Sequence, residues 1–166
     1  MSKETLDTVK EKLEAQFPGA LLLSELLYDF PVFTVTVESV HQILKFLKED
    51  PTLNFHFLTD LTAMQTADEK QLGVVYHLHN MPKNIRVRLK TFVDINKPDV
   101  PTVTDLWDGA NWMERESYDF FGVRFKGHPN LVRILNVDEM DIFPLRKEYP
   151  LEDQVREDKD DKMFGR

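Results

Sequence analysis

The stretch that decides the fold is residues 109–135, GANWMERESYDFFGVRFKGHPNLVRIL. Its triplet Glu114, Arg115 and Glu116 is interleaved with aromatic side chains. An ordinary amphipathic helix keeps charged and apolar side chains on opposite faces. Ionised groups near a core are costly unless they are paired or hydrogen-bonded. The stretch is therefore either a buried ion-pair network or a surface that another protein covers.

We predict a helix from Gly109 to Phe121, with Asp108 as its N-cap and Gly122 at its C-terminal end. Positions 114 and 116 lie about 200° apart around such a helix, so the two glutamates cannot act as one acid–base pair.

Further along the predicted helix, Glu116 and Asp119 share a face, and Arg115 can reach Asp119. Two interpretations stay open at this point. One is a carboxylate with a raised pKa in an aromatic pocket, and the other is a set of ion pairs that shapes a docking surface. The spacing favours the second, because no nucleophile triad, phosphate loop or HExxH motif accompanies these acids.

His128 lies between Gly127 and Pro129, in a turn whose geometry is restricted. Its side chain could titrate near neutral pH as a switch. The pattern more strongly favours a histidine that holds the turn through a hydrogen bond to the backbone.

Upstream of this stretch, hydrophobic periodicity predicts an α+β fold. We expect a helix over residues 3–17, a β-hairpin from residues 20–28 and 32–37, and a second helix begun by a Ser39–Gln42 capping box. Residues 72–79 and 84–93 read as strands. The pattern predicts a mixed, mostly antiparallel sheet with helices packed on one face, followed by an extended proline-rich C-terminal segment.

The two later strands carry polar rows. His77 and His79 fall on one side of the first strand, a possible metal pair for which no third ligand is evident, so a half-exposed strand face is favoured. On the second strand Arg86, Arg88 and Lys90 oppose an apolar face. We predict that this cationic row marks a solvated or partner-facing edge of the sheet.

Composition narrows the function classes. The chain has 166 residues, a net charge of −8 and no cysteine. The acidic balance argues against nucleic acid as a partner. The absence of cysteine excludes disulfides, cysteine-based zinc and iron–sulfur sites, and thiol catalysis in this chain. No apolar run is long enough to span a membrane.

Several motifs together resemble the signature of the C subunit of the proton-pumping NADH–quinone oxidoreductases, the respiratory complex I family. The matching residues are the ERExxD helix at positions 114–119, Gly-His-Pro at 127–129, Arg-Ile-Leu at 133–135 and PLRKEYPL at 144–151. Two positions depart from the family pattern. Val132 stands where relatives generally carry a basic residue or proline, and Phe143 where many carry histidine.

The resemblance implies a non-catalytic subunit of the peripheral arm that docks on and supports the quinone-site subunit. The enzyme couples NADH oxidation and quinone reduction to proton translocation. FMN, iron–sulfur clusters and quinone are expected on neighbouring subunits. No cofactor is expected in this chain. The implied location is peripheral, on the cytoplasmic face of the plasma membrane, with membrane contact only through the complex.

The resemblance also implies an organisation and an interface. Residues 1–135 would form a single α+β domain, and residues 136–166 a partner-docking tail. Arg115, Arg133, Arg146 and Lys147 would pair with carboxylates of the neighbour, whereas Glu114, Glu116 and Asp119 would pair internally or with its bases. The full expected interface comprises Glu114, Arg115, Glu116, Asp119, His128, Arg133, Arg146, Lys147 and Tyr149.

Two alternatives stay open. The chain could be the homologous subunit of a membrane-bound hydrogenase or of a quinone oxidoreductase with another electron donor. It could also be a separate soluble enzyme that uses Glu116, Asp119 and His128 in one pocket.

Overall fold

A computed structural model describes residues 2–28 and 30–149. Its elements in chain order are α1 (Ser2–Gln16), β1 (Leu21–Leu27), β2 (Phe30–Val35), α2 (Val40–Glu49), β3 (Phe57–Gln65), β4 (Gln71–Asn80), β5 (Ile85–Asp94), β6 (Asp99–Pro101), α3 (Ala110–Phe121) and β7 (Arg124–Lys126). None of the helices in the described ranges is long and apolar enough to cross a lipid bilayer.

A five-stranded sheet in the order β1-β2-β5-β4-β3 forms the centre of the fold. All neighbouring pairs are antiparallel except β2 and β5, which run parallel. The short strands β6 and β7 form a separate parallel pair. The predicted α+β class and the mostly antiparallel sheet are therefore confirmed.

The helices bury their apolar stripes against one face of this sheet. The stripe of α1 contributes Val9 and Leu13, which have no exposed surface. The stripe of α2 is the predicted one, with Val40, Ile43, Leu44 and Leu47 buried. Phe17 and Phe46 meet edge to face at 5.7 Å and join the end of α1 to α2. These helices cover the face that Phe33, Leu89 and Tyr76 present.

The cationic row occupies a different place from the one predicted. The strand that carries it, β5, lies in the middle of the sheet between β2 and β4. An isolated strand sequence cannot show this, because the parallel pairing with β2 is a long-range contact. The edge strands are β1 and β3, and α3 packs closely against β3.

Both predicted side-chain caps are wrong. Ser39 has φ −101° and ψ −8°, a helical conformation in which its hydroxyl makes no capping bond. The third helix begins at Ala110 and not at Gly109, and Asp108 is exposed. Backbone carbonyls of the preceding turn already accept the Ala110 and Asn111 amide hydrogens, so the helix start needs no side-chain acceptor.

Gly122 ends α3 as predicted, and its position is more restricted than the sequence indicates. Its φ is +77°, and its N–H donates to the Tyr118 carbonyl at 2.8 Å. A Cβ atom here would lie 2.6 Å from Cε2 of Phe143 and 2.7 Å from Nη2 of Arg146. The C-terminal segment therefore packs directly on the end of the helix.

Gly122→Ala should lower the free energy of unfolding by about 2–4 kcal/mol, because left-handed strain and overpacking add. Urea denaturation of the full chain measures this. The matched control is Gly109→Ala, where φ is −61° and no atom lies within 4 Å of the new Cβ. Equal losses in the two variants would contradict the packing of the segment on Gly122.

Candidate docking site

The third helix is the support on which the rest of the candidate site is built. After β7 the chain turns at Gly127, whose φ is +88°, and returns along α3. Residues 130–149 contain no helix or regular strand, so hydrogen bonds to α3 and to the β3–β4 turn hold them.

His128 fixes the turn at the start of this return. Its Nδ1 accepts from the Asn130 N–H at 3.0 Å, and its Nε2 lies 3.2 Å from the Asn111 carbonyl oxygen. Both ring nitrogens are satisfied if the Nε2 atom carries the hydrogen. The prediction of a histidine that holds the turn is confirmed.

Asp119 anchors the returning chain. Its side chain is completely buried, and its Oδ2 accepts from the backbone N–H groups of Ile134, Leu135 and Asn136 at 3.1, 2.8 and 2.9 Å. Its Oδ1 accepts from Arg133 at 2.8 Å and from the Asn136 amide at 3.0 Å. Burial opposes ionisation of Asp119, but these hydrogen bonds outweigh it and hold the pKa well below its usual range.

Arg133 extends this anchor to the following loop. Its guanidinium donates to Asp119 Oδ1 and to the Asp119 carbonyl, and also to the carbonyls of Met140 and Ile142. Only 8% of its side chain is exposed. The expected ion pair with a neighbouring subunit is wrong for Arg133, since its donors are used inside the chain.

Phe143 lies between two cations of the motif. The guanidinium carbons of Arg133 and Arg146 lie 5.2 and 4.7 Å from its ring centroid. Tyr118 packs against the same ring, edge to face at 5.9 Å. An aromatic ring between guanidinium groups is a favourable cation–π arrangement. Thus Phe143 binds the PLRK block to α3.

The PLRK block makes further contacts within the chain. Arg146 Nε donates to the Phe121 carbonyl at 2.7 Å, and its ion pair with Glu148 is long, at 3.8 Å. Lys147 donates through its backbone to Gln65 Oε1 and through its side chain to the Thr66 carbonyl. Tyr149 closes a turn with its N–H on the Arg146 carbonyl. Residues 150–166 of the predicted tail lie outside the described residues.

Arg115 and Glu116 differ in their surroundings. Arg115 does not pair with Asp119 as predicted; it donates to the carbonyls of Val132 and Arg133 at 3.1 and 2.9 Å. Glu116 is exposed and has no ion pair among the described residues. Its carboxylate is therefore available at the surface of α3.

Glu114 takes the internal one of the two roles expected for it. It is completely buried and accepts from Thr102 Oγ1 at 2.6 Å and from the Val103 N–H at 2.7 Å, with no cation beside it. It is therefore an internal anchor for the loop before α3 and not a partner contact. Burial raises its pKa from the ordinary 4.5 to about 7, although these two hydrogen bonds oppose the shift.

The geometry separates the groups that a soluble acid–base enzyme would need. His128 bonds to Asn111 near the start of α3, and Asp119 lies eight residues further along the helix, about 12 Å away along its axis. Glu116 is exposed, whereas Asp119 is buried. In the described ranges, no group of three or more metal-ligating side chains occurs. The structure therefore does not bring Glu116, Asp119 and His128 into one pocket.

The surface of this region is partly apolar. Large hydrophobic side chains of α3 and of the returning segment are more than a third exposed: Trp112, Val132, Leu135, Val137, Ile142 and Leu145. An open groove of about 570 Å³ lies beside them, lined in part by Tyr118, Leu131, Met140 and Phe143. Such exposure on an otherwise anchored segment is typical of a protein contact site.

Sequence reasoning missed several residues that build this site. Phe143 was identified only as a departure from a family pattern, and Asn136 and Thr102 were not singled out. Asn136 could have been found from its position, since a side-chain amide close to Arg133 is a natural second donor to a carboxylate. No sequence signal connects Thr102 with Glu114, because their contact depends on how the loop before α3 folds back.

The fold and this geometry define a small α+β domain whose third helix supports an anchored, partly apolar C-terminal segment. The family described as "Respiratory-chain NADH dehydrogenase, 30 Kd subunit" matches residues 33–155. The chain belongs to this family.

Relatives and solved structures agree with this assignment. The chain is 42% identical over 147 residues to the C subunit of the NADH-quinone oxidoreductase of Citrifermentans bemidjiense, covering 88% of this chain and 90% of the relative. A subunit of the same name from Roseiflexus sp. is 43% identical, with coverage of 87% and 83%.

Among solved structures, a chain of the membrane-bound sulfane sulfur reductase, an archaeal respiratory membrane complex, matches with a TM-score of 0.73 at 27% identity, covering 87% of this chain and 85% of that one. The trypsin-resistant fragment of Nqo5 matches with a TM-score of 0.64 at 28% identity, covering 79% of this chain and all of the fragment. The predicted family resemblance is thus confirmed.

Asp119→Ala should lower the free energy of unfolding by about 3–5 kcal/mol, because it leaves Arg133 and three backbone amides without their acceptor. Denaturant unfolding measures the loss, and hydrogen exchange at Ile134, Leu135 and Asn136 should become faster. Glu116→Ala is the matched control on the same helix, and its effect should stay within about 0.5 kcal/mol. Unchanged exchange in the Asp119 variant would show that the anchor is not needed.

Glu114 should make stability fall as pH rises from about 4.5 to about 7, because the folded chain keeps a proton there that the unfolded chain releases. The contribution lost across this window is about 3 kcal/mol. Glu114→Gln removes this dependence, so the variant should gain stability relative to the parent as pH rises. Urea unfolding of both proteins at pH 4.5, 6 and 8 isolates this group from other titrating groups. A difference that does not change with pH would contradict the assignment.

Proposed function

We propose that this chain is a non-catalytic peripheral-arm subunit of an NADH–quinone oxidoreductase. In this role it docks on the subunit that forms the quinone site and supports it, while the complex couples NADH oxidation and quinone reduction to proton translocation. The observation that carries the proposal is the partly apolar surface of α3 and residues 131–145, held in place by Asp119 and Arg133.

The internal anchoring makes this surface suitable for docking. Ordering a mobile segment on binding costs conformational entropy, and a segment already held by hydrogen bonds avoids much of that cost. Asp119 accepts five hydrogen bonds from residues 133–136, so this part of the surface keeps its shape without a partner. The cations of the family motif therefore act mainly as supports of the interface.

The direct contacts are proposed for the exposed groups. Trp112 and Glu116 are one turn apart on α3, so they share its outer face, and Trp112 is 55% exposed. Tryptophan contributes strongly to protein interfaces when it enters an apolar pocket of the partner. Glu116 would pair with a base of the partner at the edge of this contact. The groove beside Tyr118 is lined by both apolar side chains and the carboxylates of Asp138 and Asp141, so it would receive a partner segment of mixed character.

We place FMN, iron–sulfur clusters and quinone on the neighbouring subunits. Support comes from the sequence, because a chain without cysteine lacks the usual cluster ligands. We propose that the chain reaches the membrane only through its complex, at the cytoplasmic face. The docking role of residues 136–166 is part of the same proposal.

A second candidate function is that of the homologous subunit in a respiratory membrane complex that uses another electron donor. The sulfane sulfur reductase chain has a similar fold over most of this chain, and that complex carries a different activity in its name. The curated relatives at 42–43% identity are all named for NADH–quinone oxidoreductase, and they favour the first candidate. The two differ in whether an NADH-oxidising flavoprotein accompanies the chain.

Leu135→Asp should reduce recovery of the assembled complex at least tenfold, because a carboxylate would be buried in an apolar interface. The experiment purifies the tagged chain from gently solubilised membranes and identifies its partners by mass. Tyr28→Asp is the control, since Tyr28 is fully exposed outside this surface and its positive φ suits aspartate. If the Leu135 variant assembles normally, the surface is not the interface. If the parent chain is recovered alone, the proposed function is wrong.

A further inference from the structure

The second face of the central sheet lies opposite the core cluster of the described chain, although Val32 and Val75 on this face are themselves buried. The helices and the loop before α3 pack on the face that contains the core cluster. The strand registers place Val32, Lys90 and Val75 on the opposite face, and none of these belongs to that cluster. This second face is hereafter called the open face.

A row of cations runs down the middle of the open face. Arg86, Arg88 and Lys90 alternate along β5, the central strand. None of the three forms an ion pair within the described residues. The carboxylates of this face lie around the row: Glu25 and Asp60 are on the outer strands β1 and β3, and Asp94 is at the far end of β5. The centre is therefore cationic on a chain whose net charge is −8.

The central cation of this row is held in position. Arg88 Nε donates to His77 Nε2 at 2.7 Å, and His77 Nδ1 lies 3.3 Å from Asp60 Oδ2. The guanidinium also lies over the ring of Phe30, 5.1 Å from its centroid. Because the Arg88 side chain is already ordered, little side-chain entropy is lost when an acceptor binds to it.

Next to the row is a histidine with an unused nitrogen. His79 pairs with Arg86 across the β4–β5 ladder and is only 7% exposed, yet its Nε2 has no hydrogen-bond partner. Buried polar atoms are normally satisfied, so an unpartnered one in a native chain calls for an explanation. This atom has almost no exposed surface, so a group from outside the chain could reach it only if neighbouring side chains moved.

Apolar side chains surround the cations. Leu23 on β1 is 50% exposed, and Phe57 and Met64 on β3 are 45% and 40% exposed. Registers place all three on the open face, at its two long edges. A charged centre whose border includes large exposed apolar side chains does not suit a purely solvated sheet face.

We propose that the open face is a second docking surface, which binds a carboxylate-bearing surface of another protein subunit. Arg86, Arg88 and Lys90 would pair with aspartate or glutamate side chains of the partner. This inference rests on the proposed function, because it assigns a further neighbour within the same complex, on the sheet side away from the α3 surface.

A protein partner is favoured over an anionic lipid surface. A membrane interacts with the whole charge distribution within a Debye length of about 8 Å, and a chain of net charge −8 is repelled by anionic lipid. Carboxylates of a docked protein contact only the cationic centre. The spacing of the row is fixed by one strand and Arg88 is held in position, which suits carboxylates at fixed spacing better than mobile headgroups.

Chemical labelling of the intact purified complex tests the proposal. The rate at which an amine-acetylating reagent modifies each lysine in the native complex is divided by its rate in the denatured complex. This ratio should be at least tenfold lower for Lys90 than for Lys45, which lies on the exposed side of α2. A zero-length carbodiimide should link Lys90 to an aspartate or glutamate of a neighbouring subunit. Lys90→Arg should abolish the link but retain assembly.

A charge-reversal pair gives a second readout. The double variant Arg86→Glu, Lys90→Glu should lower recovery of the chain in the complex at least fivefold. The double variant Arg86→Lys, Lys90→Arg keeps both positive charges and should be recovered as well as the parent chain. Lys45→Glu is the control and should stay within twofold of the parent. Circular dichroism of the full-length variant identifies a folding defect, in which case the labelling result decides.

The outcomes separate the two proposals. If the parent chain is recovered without other subunits, the proposed function fails. If the complex is intact and Lys90 reacts as readily as Lys45 without forming a cross-link, the open face is not an interface. Protection of Lys90 that disappears when lipid is removed from an intact complex would assign the face to a membrane and overturn the proposal.

Discussion

The buried carboxylate of Asp119 is the constraint on which the candidate site depends. A negative charge with no exposed surface is tolerated only when hydrogen-bond donors surround it. Here the donors come from four consecutive residues of a segment without regular secondary structure. One side chain near the end of α3 therefore fixes the path of the chain that follows, and through Arg133 it fixes the loop up to Ile142.

This arrangement changes the meaning of the charged family motif. The resemblance implies cations that reach towards a neighbour. In the folded chain Arg115, Arg133 and Arg146 donate to carbonyl groups that have no partner in a helix or sheet. Backbone groups in an irregular segment must be satisfied somewhere, and planar guanidinium groups can serve several at once. The motif thus builds the surface, and the exposed apolar side chains between its members form that surface.

The central sheet divides the molecule into two sides of different character. The covered side is an apolar core closed by α1 and α2, and the open face carries an ordered arginine, a histidine with an unused nitrogen and apolar borders. The α3 surface lies beyond edge strand β3, so the two surfaces use different parts of the fold. A subunit with two such surfaces can connect neighbours that do not contact each other directly.

The sequence by itself determined the three helices, the first hairpin, β4 and β5, and the family, whereas β3, β6 and β7 were not predicted from it. Hydrophobic periodicity is a local property, so it located α1, the stripe of α2 and the alternation of β5. The glycine at position 122, another local signal, located the end of α3. Tertiary structure decided the rest. The central place of β5, the backbone acceptors that replace Asp108 at the start of α3, and the burial of Glu114 against Thr102 all depend on contacts between residues distant in the chain or on the path of a loop. Local propensity contains no information on such contacts, because their free energy appears only when the chain has folded.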